Sequence, residues 1–131
     1  GFMEDLILVV DDARFARMIS KKALQNGGYE NIIEAATAAD ALKIFQEKNP
    51  DLTLLDITLP DNLDLTLLKK LMAINPQASI VMCSAIGQEQ IVIDALKLGA
   101  KDFILKPYDE KQFIKIVNRV LCEKSEHKNN K

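Results

Sequence analysis

Little in this sequence is extreme, and each shortage excludes something. Two cysteines in 131 residues cannot build a disulfide framework. Cys83 sits in an apolar run and Cys122 late in a helical stretch, without metal-type spacing, so both read as reduced thiols of a cytoplasmic protein. No apolar run approaches the ~18–20 residues that span a bilayer, and no signal-peptide pattern is present. The expectation is a protein with no membrane contact. A net charge of −2 removes any global case for binding nucleic acid directly or an anionic lipid surface. Internal repeats and low-complexity segments are absent. The length leaves room for one domain with a real core and not for two comfortable ones. What remains, 48% apolar and 27% charged residues, is the balance of an ordinary soluble globule.

The apolar residues are organised. Leu6–Val10 is an aliphatic run ending in Asp11-Asp12, and reads as a first strand. Arg14–Asn26 is helical by composition, with Ala16, Ile19, Ala23 and Leu24 as its inner stripe and Gly27-Gly28 as its stop. Tyr29–Ala35 reads as a second strand. Thr37 is placed to cap a helix over Ala38–Lys48, with Ala41, Leu42 and Phe45 facing in. After the turn signal Asn49-Pro50, the stretch Asp51–Pro60 carries a third strand that ends on Asp56. A third helix is expected over Leu63–Ile74, a fourth strand over Ser79–Ser84 and a fourth helix over Gln88–Leu98. Gly99 ends that helix, and a fifth strand over Lys101–Leu105 follows. Asp109 can cap a last helix whose inner positions are Phe113, Val117, Val120 and Leu121. From Glu123 onward the chain turns polar, which divides it into a domain over 1–122 and a polar tail or linker start over 123–131.

Five alternations of strand and helix call for an α/β fold: a parallel sheet with helices on both faces. Right-handed crossovers make it doubly wound, with five helices and the flavodoxin-like strand order 2-1-3-4-5. In such a sheet ligands bind beyond the carboxyl ends of the strands. Strand one delivers Asp11 and Asp12 there, strand three Asp56, strand four Ser84 and strand five Lys106. These strands are consecutive neighbours, about 4.8 Å apart. Each residue alone has an ordinary reading as a turn, a cap, a strand end or a solvated lysine. Together they put three carboxylates beside one ammonium. Two like charges at ~4 Å repel by roughly 4 kcal/mol at an effective dielectric of ~20. A hard divalent cation relieves that repulsion, and Mg²⁺ suits a site of few carboxylates, waters and a phosphate.

The motifs VVDDAR at Val9–Arg14, LLDITLP at Leu54–Pro60, MCSA at Met82–Ala85 and GAKDFILKP at Gly99–Pro107 resemble those of two-component response-regulator receiver domains, the chemotaxis regulators among them. The resemblance runs from Leu6 to Leu121. It implies that Asp56 is the phosphoacceptor, forming an aspartyl-phosphate with a phosphoryl group from a histidine kinase or phosphotransfer protein. It implies that Asp12, Asp56 and the Thr58 carbonyl hold Mg²⁺ directly, with Asp11 acting through water. It further implies that Lys106 and Ser84 bind phosphoryl oxygens, that Phe103 is an aromatic switch coupled to Ser84, and that Lys106-Pro107 is cis. Without the resemblance, Phe103 reads as core. Such a domain is a switch that catalyses its own phosphorylation, not a turnover enzyme, and controls a downstream output domain or protein.

One stretch departs from the family pattern. Asn62-Leu63-Asp64 stands where a Met-Asp-Gly tripeptide is usual, so the loop into the third helix is expected to differ, with Asp64 as a candidate cap. Other readings are weaker. A dehalogenase-type phosphatase would carry its nucleophile on strand one, and a flavin carrier would need a Ser/Thr/Gly-rich loop there. A receiver-like module that only dimerises would not need all five site residues. The face of helix four, strand five and helix five is the expected output or self-association surface, a phosphorylation-dependent homodimer included. Ile91, Val92, Ile114 and Ile116 form its apolar margin.

Overall fold

The computed structural model describes residues 4–62 and 64–129, with side chains through Glu126. Strands β1 (Ile7–Val10), β2 (Ile32–Ala35), β3 (Leu52–Asp56), β4 (Ile80–Ser84) and β5 (Asp102–Leu105) alternate with five helices. These are α1 (Arg14–Asn26), α2 (Ala38–Lys48), α3 (Thr66–Ile74), α4 (Glu89–Lys97) and α5 (Glu110–Asn129). Every pairing is parallel, in the order β2-β1-β3-β4-β5.

The three central strands, β1, β3 and β4, are buried at every position, as a sheet covered on both faces requires. Their side chains alternate between two cores. Ile7, Val9, Leu52, Leu54 and Val81 pack with Leu24 of α1 and Phe113 and Val117 of α5. Leu8, Val10, Leu55, Ile80 and Met82 pack with Phe45 of α2, Leu68 and Leu71 of α3 and Ala95 of α4. Helices α1 and α5 therefore cover one face and α2, α3 and α4 the other. Leu54 and Leu55, immediately before Asp56, are both 1% exposed. Burying each stabilises by roughly 1.5–3 kcal/mol, so the strand that presents Asp56 is anchored on both faces. Among the described residues no helix is long and apolar enough to cross a membrane.

Local chemistry sets most boundaries. Thr37 Oγ1 accepts the Asp40 N–H at 3.1 Å and starts α2. Asp109 Oδ1 accepts the Lys111 N–H at 3.0 Å and starts α5. Gly99 follows α4 with φ of +116°, and a Cβ there would meet Met72 Cε at 2.7 Å. The positive φ calls for glycine, while the flexible Met72 end could move aside.

The differences from the sequence reading have physical causes. Ile19 is not on the inner stripe of α1; it is 42% exposed, and Ser20 is buried instead. The stripe runs Ala16, Ser20, Ala23, Leu24, which is the better helical phase. Ser20 is tolerated there because its hydroxyl faces Tyr108 Oη at 3.4 Å. β2 begins at Ile32 because the Tyr29 N–H is still bonded to the Leu24 carbonyl. α3 begins at Thr66; Leu63, its expected start, lies outside the described residues. α5 does not stop where the polar tail was expected, but continues helical to Asn129. Lys124 Nζ, 3.1 Å from Asp51 Oδ1, fastens that extension to the base of the sheet.

The expected apolar margin also changes. Val92 and Ile116 are core, at 6% and 7% exposure, and Ile91 and Ile114 are partly buried against the two cores. The exposed apolar residues on that side are Ile93 and Leu96 of α4 and Phe103 and Leu105 of β5. Phe103 is thus not the core residue that its place on a strand suggests.

Candidate active site

Asp11 follows β1, and its N–H extends the sheet by one bond to the Ala35 carbonyl. Its carboxylate is buried and fully engaged: Oδ1 accepts the Ala13 N–H at 3.0 Å and Oδ2 accepts from Lys106 Nζ at 2.6 Å. Asp12 beside it is exposed. Asp56 closes β3 and is 8% exposed. Its Oδ1 takes a long 3.4 Å bond from the Thr58 N–H and lies 3.5 Å from Lys106 Nζ. Ser84 closes β4 and is buried. Its carbonyl accepts the Lys106 N–H at 2.7 Å, which carries the β4–β5 pairing one residue past Leu105. The Lys106-Pro107 bond is cis.

The strand ends therefore bring Asp11, Asp12, Asp56 and Lys106 into one cluster, with Ser84 next to it in the sheet. Carboxylate oxygens of the three aspartates lie within 4.8 Å of one another. A donor set made only of oxygen, with one exposed member, fits a hard divalent cation. Thr58 is on the exposed rim, and Phe103 lies on β5 opposite Met82, turned partly to solvent.

The charges are in tension. Burial pushes the Asp56 carboxyl above the ordinary carboxylate range; Lys106 pulls it back, and Asp11 pushes it up again. Burial pulls the Lys106 ammonium down, but the hydrogen bond to Asp11 and the charges of Asp56 and Asp11 outweigh that, and its pKa ends up raised. Lys106 is therefore firmly cationic, and its shorter contact is with Asp11. Asp56 is the less satisfied carboxylate of the two.

Several residues that shape the site are not on the predicted set. Arg17 Nη1 donates to the Asp11 carbonyl at 2.7 Å, and Arg17 Nε to Glu34 Oε1 at 3.1 Å. Cys83 pairs with Asp56 in the sheet register. Burial pushes its thiol up to about 12, so it is an inert core group in contact with the Tyr108 hydroxyl. Gln88 Nε2 donates to Thr58 Oγ1 at 2.9 Å. Their contacts to Glu34, Thr58 and Tyr108 join elements far apart in sequence, so no spacing along the chain marks them.

Residues 7–118 match the response regulator receiver domain family. The chain belongs to that family. As a receiver domain it is a signalling module of two-component systems, not a member of a turnover-enzyme family. The receiver domain is 44% identical over 119 residues to the chemotaxis protein CheY of Bacillus subtilis (strain 168), covering 91% of this chain and 99% of that protein. In structure it resembles the receiver domain of NtrX from Brucella abortus, with a TM-score of 0.82 and 33% identity over 88% of this chain and 97% of that one. Against a longer NtrX chain the TM-score is 0.90 at 32% identity, and the match covers 97% of this chain but 29% of that one. The chain thus spans under a third of that longer regulator.

Asn62 and Asp64, the described residues of the stretch that departs from the family pattern, are both tied to the start of α3. Asn62 is buried and its Oδ1 accepts the Leu67 N–H at 3.1 Å, while Asp64 Oδ1 accepts the Thr66 N–H at 2.9 Å. Two side chains satisfy orphan donors at the start of α3. Asp61, one residue earlier, accepts the Ala38 and Ala39 N–H groups at the start of α2.

Proposed function

We propose that Asp56 is the phosphoacceptor of this receiver domain. The observation that carries the reading is its position: the end of the central strand, 3.5 Å from Lys106 Nζ and within 4.8 Å of two further carboxylates. A carboxylate oxygen of Asp56 attacks phosphorus in line with the P–N bond of a phosphohistidine. The new O–P bond forms as the P–N bond breaks, and the electron pair returns to the imidazole. Lys106 offsets charge on the phosphoryl oxygens, and Ser84, on the neighbouring strand, supplies a hydroxyl to one of them. Asp12, Asp56 and the Thr58 carbonyl would hold Mg²⁺, with Asp11 acting through water, and the ion would supply further charge neutralisation there. The domain thus promotes its own modification by positioning and electrostatics.

The donor is a histidine kinase or phosphotransfer protein. The readout is the face carrying Ile93, Leu96, Phe103 and Leu105, biased through Ser84 and Phe103 toward an output domain, a partner protein or a second copy. A two-state shift of this kind needs only a few kcal/mol of differential stabilisation. Intact mass spectrometry tests the assignment. Incubation with Mg²⁺ and acetyl phosphate adds about 80 Da to the wild type and nothing to Asp56→Asn. An undiminished adduct in that variant would overturn it.

A further inference from the structure

Gln88 stands at the start of α4, and its side chain does not cap that helix. It turns back toward the strand ends instead. Its Oε1 accepts the Ala85 N–H at 2.7 Å, and its Nε2 donates to Thr58 Oγ1 at 2.9 Å. Ala85 follows Ser84, the last residue of β4, and Thr58 lies two residues beyond Asp56, the last residue of β3. One amide therefore straps the loop after β4 to the loop after β3, across the mouth of the carboxylate cluster.

A phosphoryl group on Asp56 would add three acceptor oxygens and nearly two negative charges between these two loops. The backbone donor next to Ser84 is the Ala85 N–H, and Gln88 Oε1 already holds it. As long as the amide keeps both bonds, the Ala85 N–H is not open to a phosphoryl oxygen. Resting on the phosphoacceptor reading of Asp56, we propose that Gln88 is a positioning residue: its amide strap holds the unmodified arrangement of the mouth and has to open when Asp56 is phosphorylated. The strap stabilises one of two states. Removing it favours the other, in proportion to the net worth of the bonds lost.

The test compares wild type, Gln88→Ala, Thr58→Val and the double variant. Thr58→Val removes the hydroxyl and keeps the backbone. The probe is beryllofluoride with Mg²⁺, a phosphoryl mimic. Gln88→Ala is expected to bind it at least about fivefold more tightly, the worth of one net hydrogen bond of the two it removes, and the Ala85 amide should lose protection from hydrogen exchange in the unmodified protein. Thr58→Val should shift affinity the same way. The double variant should resemble Gln88→Ala, because one strap is cut twice. A merely structural role would lower the melting temperature and leave the affinity unchanged. Unchanged or weaker binding in a folded Gln88→Ala protein would overturn the strap. Simple addition of the two single effects would also overturn it. Failure of the wild type to bind the mimic would instead overturn the phosphoacceptor reading beneath it.

Discussion

Asp56→Asn should make the unmodified, metal-free protein more stable, although it destroys the proposed function. Two carboxylates lie within 4.8 Å of Asp56 and one ammonium at 3.5 Å. At an effective dielectric of ~20, each neighbouring carboxylate opposes an ionised Asp56 by about 3.5 kcal/mol and Lys106 favours it by about 4.7 kcal/mol. Asp12 is exposed, so solvent screens its share and the charges nearly cancel; burial of Asp56 then tips the balance against its charge, by about 1–2 kcal/mol. Asparagine keeps the shape and removes the charge. In EDTA at neutral pH the variant is expected to melt about 3–8 °C above wild type by circular dichroism. The pH dependence has a definite sign. Burial raises the Asp56 pKa in the folded state, so folding favours the protonated form. Wild type therefore loses stability as the pH rises from the unfolded pKa to the folded one, and the deficit is constant above. The gap to Asp56→Asn should vanish when the solution is acidic enough to protonate Asp56 in both states. Saturating Mg²⁺ should also narrow it, by binding the native wild type. A variant that melts at or below wild type in EDTA at neutral pH would refute this account of the site.

Two further outcomes follow from the geometry. Asp12→Ala removes the exposed member of the carboxylate cluster; Mg²⁺ titration should show weakened binding, about tenfold or more for a lost charged ligand, and equal affinity would exclude Asp12 from the set. On the α4–β5–α5 side, Ile116→Glu puts a charge at a core position and should destabilise by about 3 kcal/mol or more in a urea melt, whereas Leu105→Glu should fold normally. If that face associates on activation, sedimentation should show a beryllofluoride-dependent rise in mass that Leu105→Glu abolishes; a rise that survives it would place the contact elsewhere.

Much of the fold was legible because its signals are local. The bounds of α1 and α2 follow from composition and from Thr37, and both appear as expected. The strand order follows from alternation and chain handedness, and it puts Asp11, Asp12, Asp56, Ser84 and Lys106 at one end of the sheet. Errors arose where a residue's character and its address disagreed. Ser20 is polar yet buried, and Phe103 and Leu105 are apolar yet exposed on an edge strand. Hydropathy cannot anticipate a serine satisfied by a tyrosine 88 positions away, nor an apolar edge left open. The same limit hid the contacts of Gln88 with Thr58 and of Arg17 with Glu34, which are set by tertiary packing and not by spacing along the chain. It also hid the preference of Lys106 for Asp11, at 2.6 Å, over Asp56, at 3.5 Å.

The ion pair between Lys106 and Asp11 joins residues 95 positions apart. The first strand end is made early, and its counter-charge is made 95 residues later, after four crossings of the sheet. A ribosome-bound chain that has not yet exposed Lys106 carries the acidic residues without the cation that balances them. The charge balance at the strand ends is therefore completed only when the fifth strand joins the sheet.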